Sequence, residues 1–169
     1  TVVCAGVDTS RLLEIAGLPM ALDAPPGLIA HSTRSDKKLL NGLVMTPDFH
    51  VRQTHEGRLI IGTDFAGGDP QGRDSEMATA LLDGVKAIVR GSDDLDLDFI
   101  TVGYRPTPRD GYPAIGRPKG ADGIYVAVLH SGITLATIVG ELAARELATG
   151  VRDPDLAPYD PNRPELSQA

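Results

Sequence analysis

Arg105 is the residue whose type and position most directly indicate ligand binding. It stands in the segment VGYRPTPRDGYPAIG, directly after residues 102–104, at the end of a strand predicted to be buried. A guanidinium in such a place must be paired, because an unpaired buried charge is costly. One partner is the carboxylate of a bound substrate, which the planar fork of arginine matches with two parallel hydrogen bonds. The other is an internal ion pair with Asp110 or with the acidic segment SDDLDLD at 92–98, and the residue types alone do not separate the two hypotheses.

A second candidate site lies in the segment YVAVLHSGITLATIVGELA. A predicted buried strand over residues 124–129 runs through His130 and Ser131 into a helix predicted over 132–147. The start of a helix presents free backbone N–H groups and the positive end of the helix dipole, so an anionic or electron-rich ligand fits there. The alternative is a simple capped helix in which Ser131 is the N-cap.

Several familiar sites are excluded by the sequence. It contains no G-x-G-x-x-G turn, P-loop, H-E-x-x-H motif or paired cysteine spacing. No metal site is predicted, because no two histidines are spaced i, i+4; they are His31, His50, His55 and His130. The single cysteine, Cys4, stands in an apolar run and is predicted to be a small buried hydrophobic residue. One cysteine forms no intrachain disulfide and favours a reducing compartment, so we expect a cytoplasmic protein.

The composition indicates a globular domain that must position these residues. The chain has 169 residues, a net charge of -7 and 41% hydrophobic residues. These values are ordinary for a folded domain and argue against a nucleic-acid footprint, an anionic membrane surface or disorder. The chain begins without Met and inside a predicted strand, so we expect a further segment upstream of Thr1.

The pattern of apolar residues predicts an α+β fold with an antiparallel-rich mixed sheet. A hairpin is predicted around Glu56-Gly57, between apolar runs at 50–53 and 58–62. Apolar residues recur at helical spacing over 76–90, which predicts an amphipathic helix. The segment from Asp153 carries four prolines in eleven residues and is predicted to be an extended surface strap.

Three blocks in this order resemble the FAD-dependent oxidoreductases of the D-amino-acid oxidase and glycine oxidase family: VVCAGV, GYRPTPRDGYPAIG and GIYVAVLHSGITLATIVGELAARELATG. The segment FHVRQTHEGRLIIGTDF between them resembles the family's substrate-domain hairpin. The resemblance implies a substrate domain at 21–115, flanked by strand and helix pieces of a Rossmann-like FAD domain at 1–20 and 116–150. Residues 151–169 would form a Pro-rich C-terminal tail.

The resemblance also implies roles for individual residues. Arg105 would bind the substrate carboxylate, His50 would place a polar ring over the substrate where the family often has Tyr, and Phe65 would line the pocket wall. His130 would face the substrate or contact the flavin. The other expected flavin contacts are Ala5, Gly6, Ser131, Gly132, Ile133 and Thr134. No residue beyond these orienting groups is predicted to be catalytic.

Part of the family's FAD-binding site is missing from the sequence. The strand, G-x-G-x-x-G turn and acidic residue that hold the adenine, pyrophosphate and ribose of FAD are missing from the sequence. We therefore expect an incomplete FAD site, an inactive isolated chain, and an N-terminal half or partner subunit that completes it.

The predicted function is the carboxy-terminal part of an oxidoreductase that oxidises the Cα–N bond of an amino acid or N-substituted glycine by hydride transfer to flavin N5, with oxygen or a quinone as acceptor. Three alternatives remain. They are a flavin-dependent 2-hydroxy-acid dehydrogenase, a non-catalytic substrate-domain subunit that meets its nucleotide-binding half on another chain, and an α+β module without flavin.

Overall fold

The structure, a computed structural model, describes residues 1–63 and 72–166. The strands in chain order are β1 (Val2–Val3), β2 (Leu22–Asp23), β3 (Pro26–Arg34), β4 (Val44–Met45), β5 (His50–Gln53), β6 (Arg58–Gly62), β7 (Leu97–Tyr104), β8 (Thr107–Pro108), β9 (Ala114–Gly116) and β10 (Tyr125–Val128). The α-helices are α1 (Thr9–Ile15), α2 (Asp74–Ile88) and α3 (Ala136–Thr149). Short 3-10 helices cover Gly6–Asp8, Pro154–Tyr159 and Pro164–Leu166. These helices and largely antiparallel sheets confirm the predicted α+β class.

The chain divides into two compact units. Unit 1 contains residues 1–24 and the chain from Arg105 onward, and unit 2 contains Pro25–Tyr104. Arg105 is therefore the first residue after the chain leaves unit 2.

Unit 2 is a five-stranded antiparallel sheet with α2 packed on one face. The strand order is β4-β5-β6-β3-β7. Along β3, Leu28, Ala30 and Ser32 are buried while the residues between them are more exposed, as a strand with one covered face requires. Helix α2 presents a buried stripe to this face, with acidic residues in its first turn and Lys86 in its last, an order that suits the helix dipole. The buried core residues are Leu28, Ala30, Val51, Leu59, Ile61, Ala78, Leu81, Leu82, Val85, Val89 and Leu95.

The predicted hairpin is present between β5 and β6. Gly57 adopts a φ of 90°, and a Cβ at this position would come within 2.1 Å of the Ser35 carbonyl oxygen. Only glycine combines this backbone conformation with such a close approach. The turn sets a register in which His50 is opposite Gly62.

Unit 1 contains a three-stranded sheet in the order β1-β10-β9 and a small β2-β8 pair. β1 runs parallel to β10, and β10 runs antiparallel to β9. Two buried clusters stabilise the unit. One consists of Leu13, Met20, Ala114, Val126, Val128 and Leu166, and the other of Ile115, Tyr125, Leu142, Ala143 and Leu156.

The C-terminal tail differs from the predicted extended strap. It forms two 3-10 helices, and Leu156 and Leu166 are each 1% exposed, so the tail contributes to the core. An ion pair to the buried Glu146 carboxylate fixes its start: Arg152 Nη1 donates to Glu146 Oε2 at 2.8 Å, and Arg152 Nη2 donates to the Ile115 carbonyl at 2.9 Å.

Three further expectations are corrected. The last helix begins at Ala136 rather than at residue 132, and residues 130–135 form a turn. Cys4 is exposed rather than buried, because it follows the short β1 at the edge of its sheet. The strand before Arg105 is not buried, because β7 lies at the sheet edge and Tyr104 is 61% exposed.

Candidate functional site

The Arg105 guanidinium has an unsatisfied donor. Its Nη1 atom is buried, and among residues 1–63 and 72–166 it has no hydrogen-bond partner. Within the same described ranges Arg105 forms no ion pair. Buried polar groups are nearly always hydrogen-bonded, so an orphaned guanidinium nitrogen marks a place for an acceptor such as a carboxylate.

Two of the internal partners considered for Arg105, Asp110 and Asp98, are bound elsewhere. Asp110 Oδ1 accepts from Arg163 Nη2 at 2.8 Å, and Asp110 Oδ2 accepts from Arg163 Nε at 2.5 Å. The hydrogen bonds from Arg163 hold the pKa of the Asp110 carboxyl below its ordinary value. Asp98, from the acidic segment, pairs with Arg58. Asp110 is thus the ion-pair partner of Arg163, which favours the substrate hypothesis for Arg105.

The loop that follows Arg105 is held by backbone contacts. β8 pairs with β2, and the Arg109 amide donates to the Ala21 carbonyl at 3.2 Å. A tight turn follows, in which the Gly111 amide donates to the Pro108 carbonyl at 2.7 Å. Its prolines also restrict φ, so the backbone of this loop has few accessible conformations despite having little regular structure.

The turn at 130–135 presents free backbone donors. The Leu135 amide donates to the Ser131 carbonyl, and the Ala136 amide donates to the Ile133 carbonyl. In the part of the chain that the structure describes, the amides of residues 132–134 donate no hydrogen bond. Ile133 is 96% exposed, so the turn faces outward. An electron-rich group can therefore accept hydrogen bonds from this turn.

Ser131 does not cap the helix through its side chain. Its hydroxyl forms a 2.8 Å hydrogen bond with Nδ1 of His130. The N-cap position of α3 is Leu135, which has no side-chain cap. The alternative hypothesis, in which Ser131 is the N-cap of this helix, is therefore wrong.

The parallel pairing of β1 with β10 brings the two segments predicted to contact the flavin to the same end of the sheet. Val3 is in register with Val126, so the segment after β1 and the turn after β10 both leave the carboxyl ends of parallel strands. Gly6, in the first segment, has a φ of 58°, and no atom lies within 4 Å of where its Cβ would be. This backbone leaves open space that a planar group could approach closely.

His50 lies on β5 in unit 2, and its side chain is on the face of the sheet opposite α2. The next residue, Val51, is fully buried against α2, so His50 points to the other face. A Cβ at Gly62 would lie 2.8 Å from both Cε1 and Nε2 of the imidazole. The ring therefore occupies the space that the missing side chain of Gly62 leaves.

The prediction for Phe65 lies outside the described residues. The sequence itself does not single out Arg163 or Gly62. Arg163 is a single arginine in a Pro-rich tail and belongs to no repeating pattern of residues. Gly62, a glycine at the end of a hairpin strand, indicates that another group lies close to the backbone but does not say which group.

Two negative findings hold for residues 1–63 and 72–166. No helix there has the length and hydrophobicity needed to cross a membrane. No group of three or more histidine, cysteine or acidic side chains there is arranged to hold a metal ion.

Comparison with known proteins identifies the family. The DAO model, described as FAD dependent oxidoreductase, matches residues 1–146. The chain therefore belongs to this family of FAD-dependent oxidoreductases, and the resemblance found in the sequence is confirmed.

Individual relatives cover nearly the whole chain. An opine oxidase subunit from Agrobacterium tumefaciens is 25% identical over 171 residues, which are 99% of this chain and 44% of that protein. The hydrogen cyanide synthase subunit HcnC of Pseudomonas aeruginosa is 29% identical over 160 residues, 92% of this chain and 38% of that protein. The glycine oxidase structure from Geobacillus kaustophilus matches 96% of this chain and 45% of its own, with a TM-score of 0.75 and 24% identity. The chain thus spans less than half the length of these relatives.

Proposed function

We propose that this chain is the carboxy-terminal part of a FAD-dependent oxidoreductase that oxidises the Cα–N bond of an amino acid or N-substituted glycine. The observation that supports this most strongly is the buried Nη1 of Arg105, which has no hydrogen-bond partner among the described residues and stands in a loop whose own carboxylate is bound by Arg163. The similarity to a component of an opine oxidase agrees with an amino-acid-like substrate.

Arg105 binds the substrate carboxylate in this proposal. The guanidinium offers two parallel donors, so it fixes both the position and the rotation of the carboxylate. Orientation of this kind supplies much of the rate enhancement when the reacting atoms must meet at one distance and angle. On the strength of the family resemblance, His50, His130 and Phe65 are proposed as further substrate-binding residues.

Ala5, Gly6 and the turn at 131–134 would hold the flavin ring. When bound, FAD would supply the hydride acceptor for the oxidation. The free amides of the turn would donate hydrogen bonds to the electron-rich cofactor and so stabilise negative charge on it. The open backbone at Gly6 fits this planar group, as does the outward-facing turn.

The adenine and pyrophosphate of FAD are held by another polypeptide segment. This sequence has no G-x-G-x-x-G turn to cradle a pyrophosphate. The segment is either an N-terminal half of the same protein or a partner chain, and we expect the present chain alone to be inactive. The opine oxidase and hydrogen cyanide synthase relatives are both named as subunits, which agrees with an assembly of several chains.

The proposal is tested in the complete enzyme, with this chain joined to the polypeptide that completes the FAD site. Arg105→Met should raise KM by about two orders of magnitude, the value of two charge-assisted hydrogen bonds, while flavin content stays normal. Arg90→Met, an exposed arginine after α2, serves as the control. An unchanged KM in Arg105→Met would remove Arg105 from the substrate site.

Product analysis decides between amine and hydroxyl oxidation. Ammonia or amine released in equal amount to the oxo acid supports the proposal. Oxo-acid formation without amine release supports the 2-hydroxy-acid dehydrogenase instead.

A further inference from the structure

Arg163 connects the C-terminal tail to the loop that carries Arg105. The two residues of the Arg163–Asp110 ion pair are 53 positions apart in sequence, and their side chains are 12% and 14% exposed. Arg163 also donates from Nη1 to the Pro113 carbonyl and from Nη2 to the Tyr112 carbonyl, each at 2.8 Å. A fifth hydrogen bond joins Arg163 to the Asp160 carbonyl of the tail. All five donors of this guanidinium are therefore directed at the loop or at the tail that holds it.

These contacts act on the loop that carries Arg105, which lies five residues before Asp110. They fix the end of the loop through its backbone carbonyls, and they occupy both oxygens of the loop's carboxylate. If Arg163 were absent, the largely buried Asp110 carboxylate would keep the hydrogen bond from the Tyr112 amide but would lose its cation, which is costly and favours any cation within reach. In the described residues, the nearest cation along the loop with an unsatisfied buried donor is Arg105.

We propose that Arg163 is a positioning residue, which holds the loop and keeps Asp110 bound so that the Arg105 guanidinium remains available to the substrate carboxylate. This inference rests on the proposed function, in which Arg105 binds that carboxylate. Arg163 does not touch the substrate. Its effect is to prevent an internal ion pair from replacing the bound ligand.

The proposal is tested with five variants of the complete enzyme: Arg163→Met, Arg163→Lys, Asp110→Asn and the double variants Arg163→Met/Asp110→Asn and Arg163→Lys/Asp110→Asn. We expect Arg163→Met to raise KM about 10- to 100-fold, with kcat and flavin content little changed. Asp110→Asn alone should change KM less than about threefold, because no internal carboxylate then competes with the substrate for the Arg105 guanidinium. The double variant Arg163→Met/Asp110→Asn should recover at least about tenfold of the lost affinity, because the competing carboxylate is gone.

A purely structural role for Arg163 predicts a different pattern. Removing Asp110 as well would then leave KM unchanged or raise it further, and this result would overturn the proposal. The dissociation constant of acetate, followed by the change in flavin absorption, gives a second readout of carboxylate binding that does not depend on turnover. Acetate affinity should fall in Arg163→Met and recover in the double variant.

Arg163→Lys keeps the proposal testable if Arg163→Met does not fold. Lysine retains the charge but cannot bind both carboxylate oxygens in the planar fork. We expect KM to rise about three- to tenfold in Arg163→Lys and to return when Asp110→Asn is added. No recovery would contradict the inference. Arg105→Met distinguishes failure of the proposed function from failure of the role proposed for Arg163. An unchanged KM in Arg105→Met overturns the proposed function. A raised KM in Arg105→Met, without recovery in the double variants of Arg163 and Asp110, overturns only the role of Arg163.

Discussion

The imidazole of His50 lies over Gly62, in the space that a side chain at position 62 would fill. The two residues are opposite each other on β5 and β6, and a Cβ at Gly62 would stand 2.8 Å from two ring atoms. Contacts this short require one group to move. Since Gly62 is buried, the histidine ring is the group with room to shift.

Gly62→Ala should therefore displace the His50 ring and lower kcat/KM in the complete enzyme, by about tenfold if the ring orients the substrate. Overpacking should also destabilise the fold by about 1–3 kcal/mol. Gly103→Ala on β7 is the matched control, because no atom lies within 4 Å of the added methyl group. Steady-state kinetics and thermal unfolding check both effects. Equal kcat/KM for the two variants would place His50 away from the substrate.

The hairpin and α2 are predictable from sequence because their signals are local. Glu56-Gly57 marks a turn between two apolar runs, and the stripe on α2 repeats at helical spacing. Arg105 can be singled out for the same reason, since a guanidinium in an apolar and Pro-rich segment stands out by itself.

Other features depend on contacts between distant residues and have no such signal. The partner of Asp110 is 53 residues away, and the burial of Leu166 follows from its packing within unit 1. The turn at 130–135 resembles helix in sequence because its apolar spacing continues that of α3. The exposure of Cys4 is set by its place at a sheet edge, which an apolar run does not reveal.

The ion pair between Arg152 and Glu146 should be important for stability. Glu146 is 5% exposed and also accepts a hydrogen bond from the Tyr125 hydroxyl, whose pKa burial and the Glu146 charge raise to about 12. Arg152→Met leaves the buried carboxylate without its cation, which typically costs about 3–5 kcal/mol. Urea unfolding of the complete protein measures the loss.

Arg11→Met is the control for this prediction. Arg11 pairs with Asp8 at 3.3 Å, and both side chains are more than half exposed. Exposed pairs contribute about 1 kcal/mol or less. A loss in Arg152→Met as small as that in Arg11→Met would show that the pair with Glu146 does not hold the tail.

His31 should make stability depend on pH. Burial lowers the pKa of this histidine below its ordinary value, and the nearby charges of Arg58 and Arg52 lower it further. The ring is stacked on Phe99, with the two centroids 4.1 Å apart. The unfolded state then binds more protons than the folded state, so the stabilising contribution is present above the ordinary pKa of about 6.5 and is lost as pH falls through the lower folded value.

The measurement is the free energy of unfolding from about pH 7.5 down to about pH 5, where histidines titrate. His31→Asn should flatten its decrease toward low pH. His55→Asn should not, because the His55 side chain is 93% exposed. The same slope in the wild type and in His31→Asn would show that another group causes the decrease.

The central claim is that Arg105 recognises the carboxylate of the substrate. Its most direct test compares kcat/KM for the amino acid that the complete enzyme oxidises with kcat/KM for the corresponding carboxamide, in the wild type and in Arg105→Met. The account predicts that the wild type prefers the acid by about 100-fold and that this preference falls to within about threefold in Arg105→Met. A preference of equal size in both enzymes would contradict it.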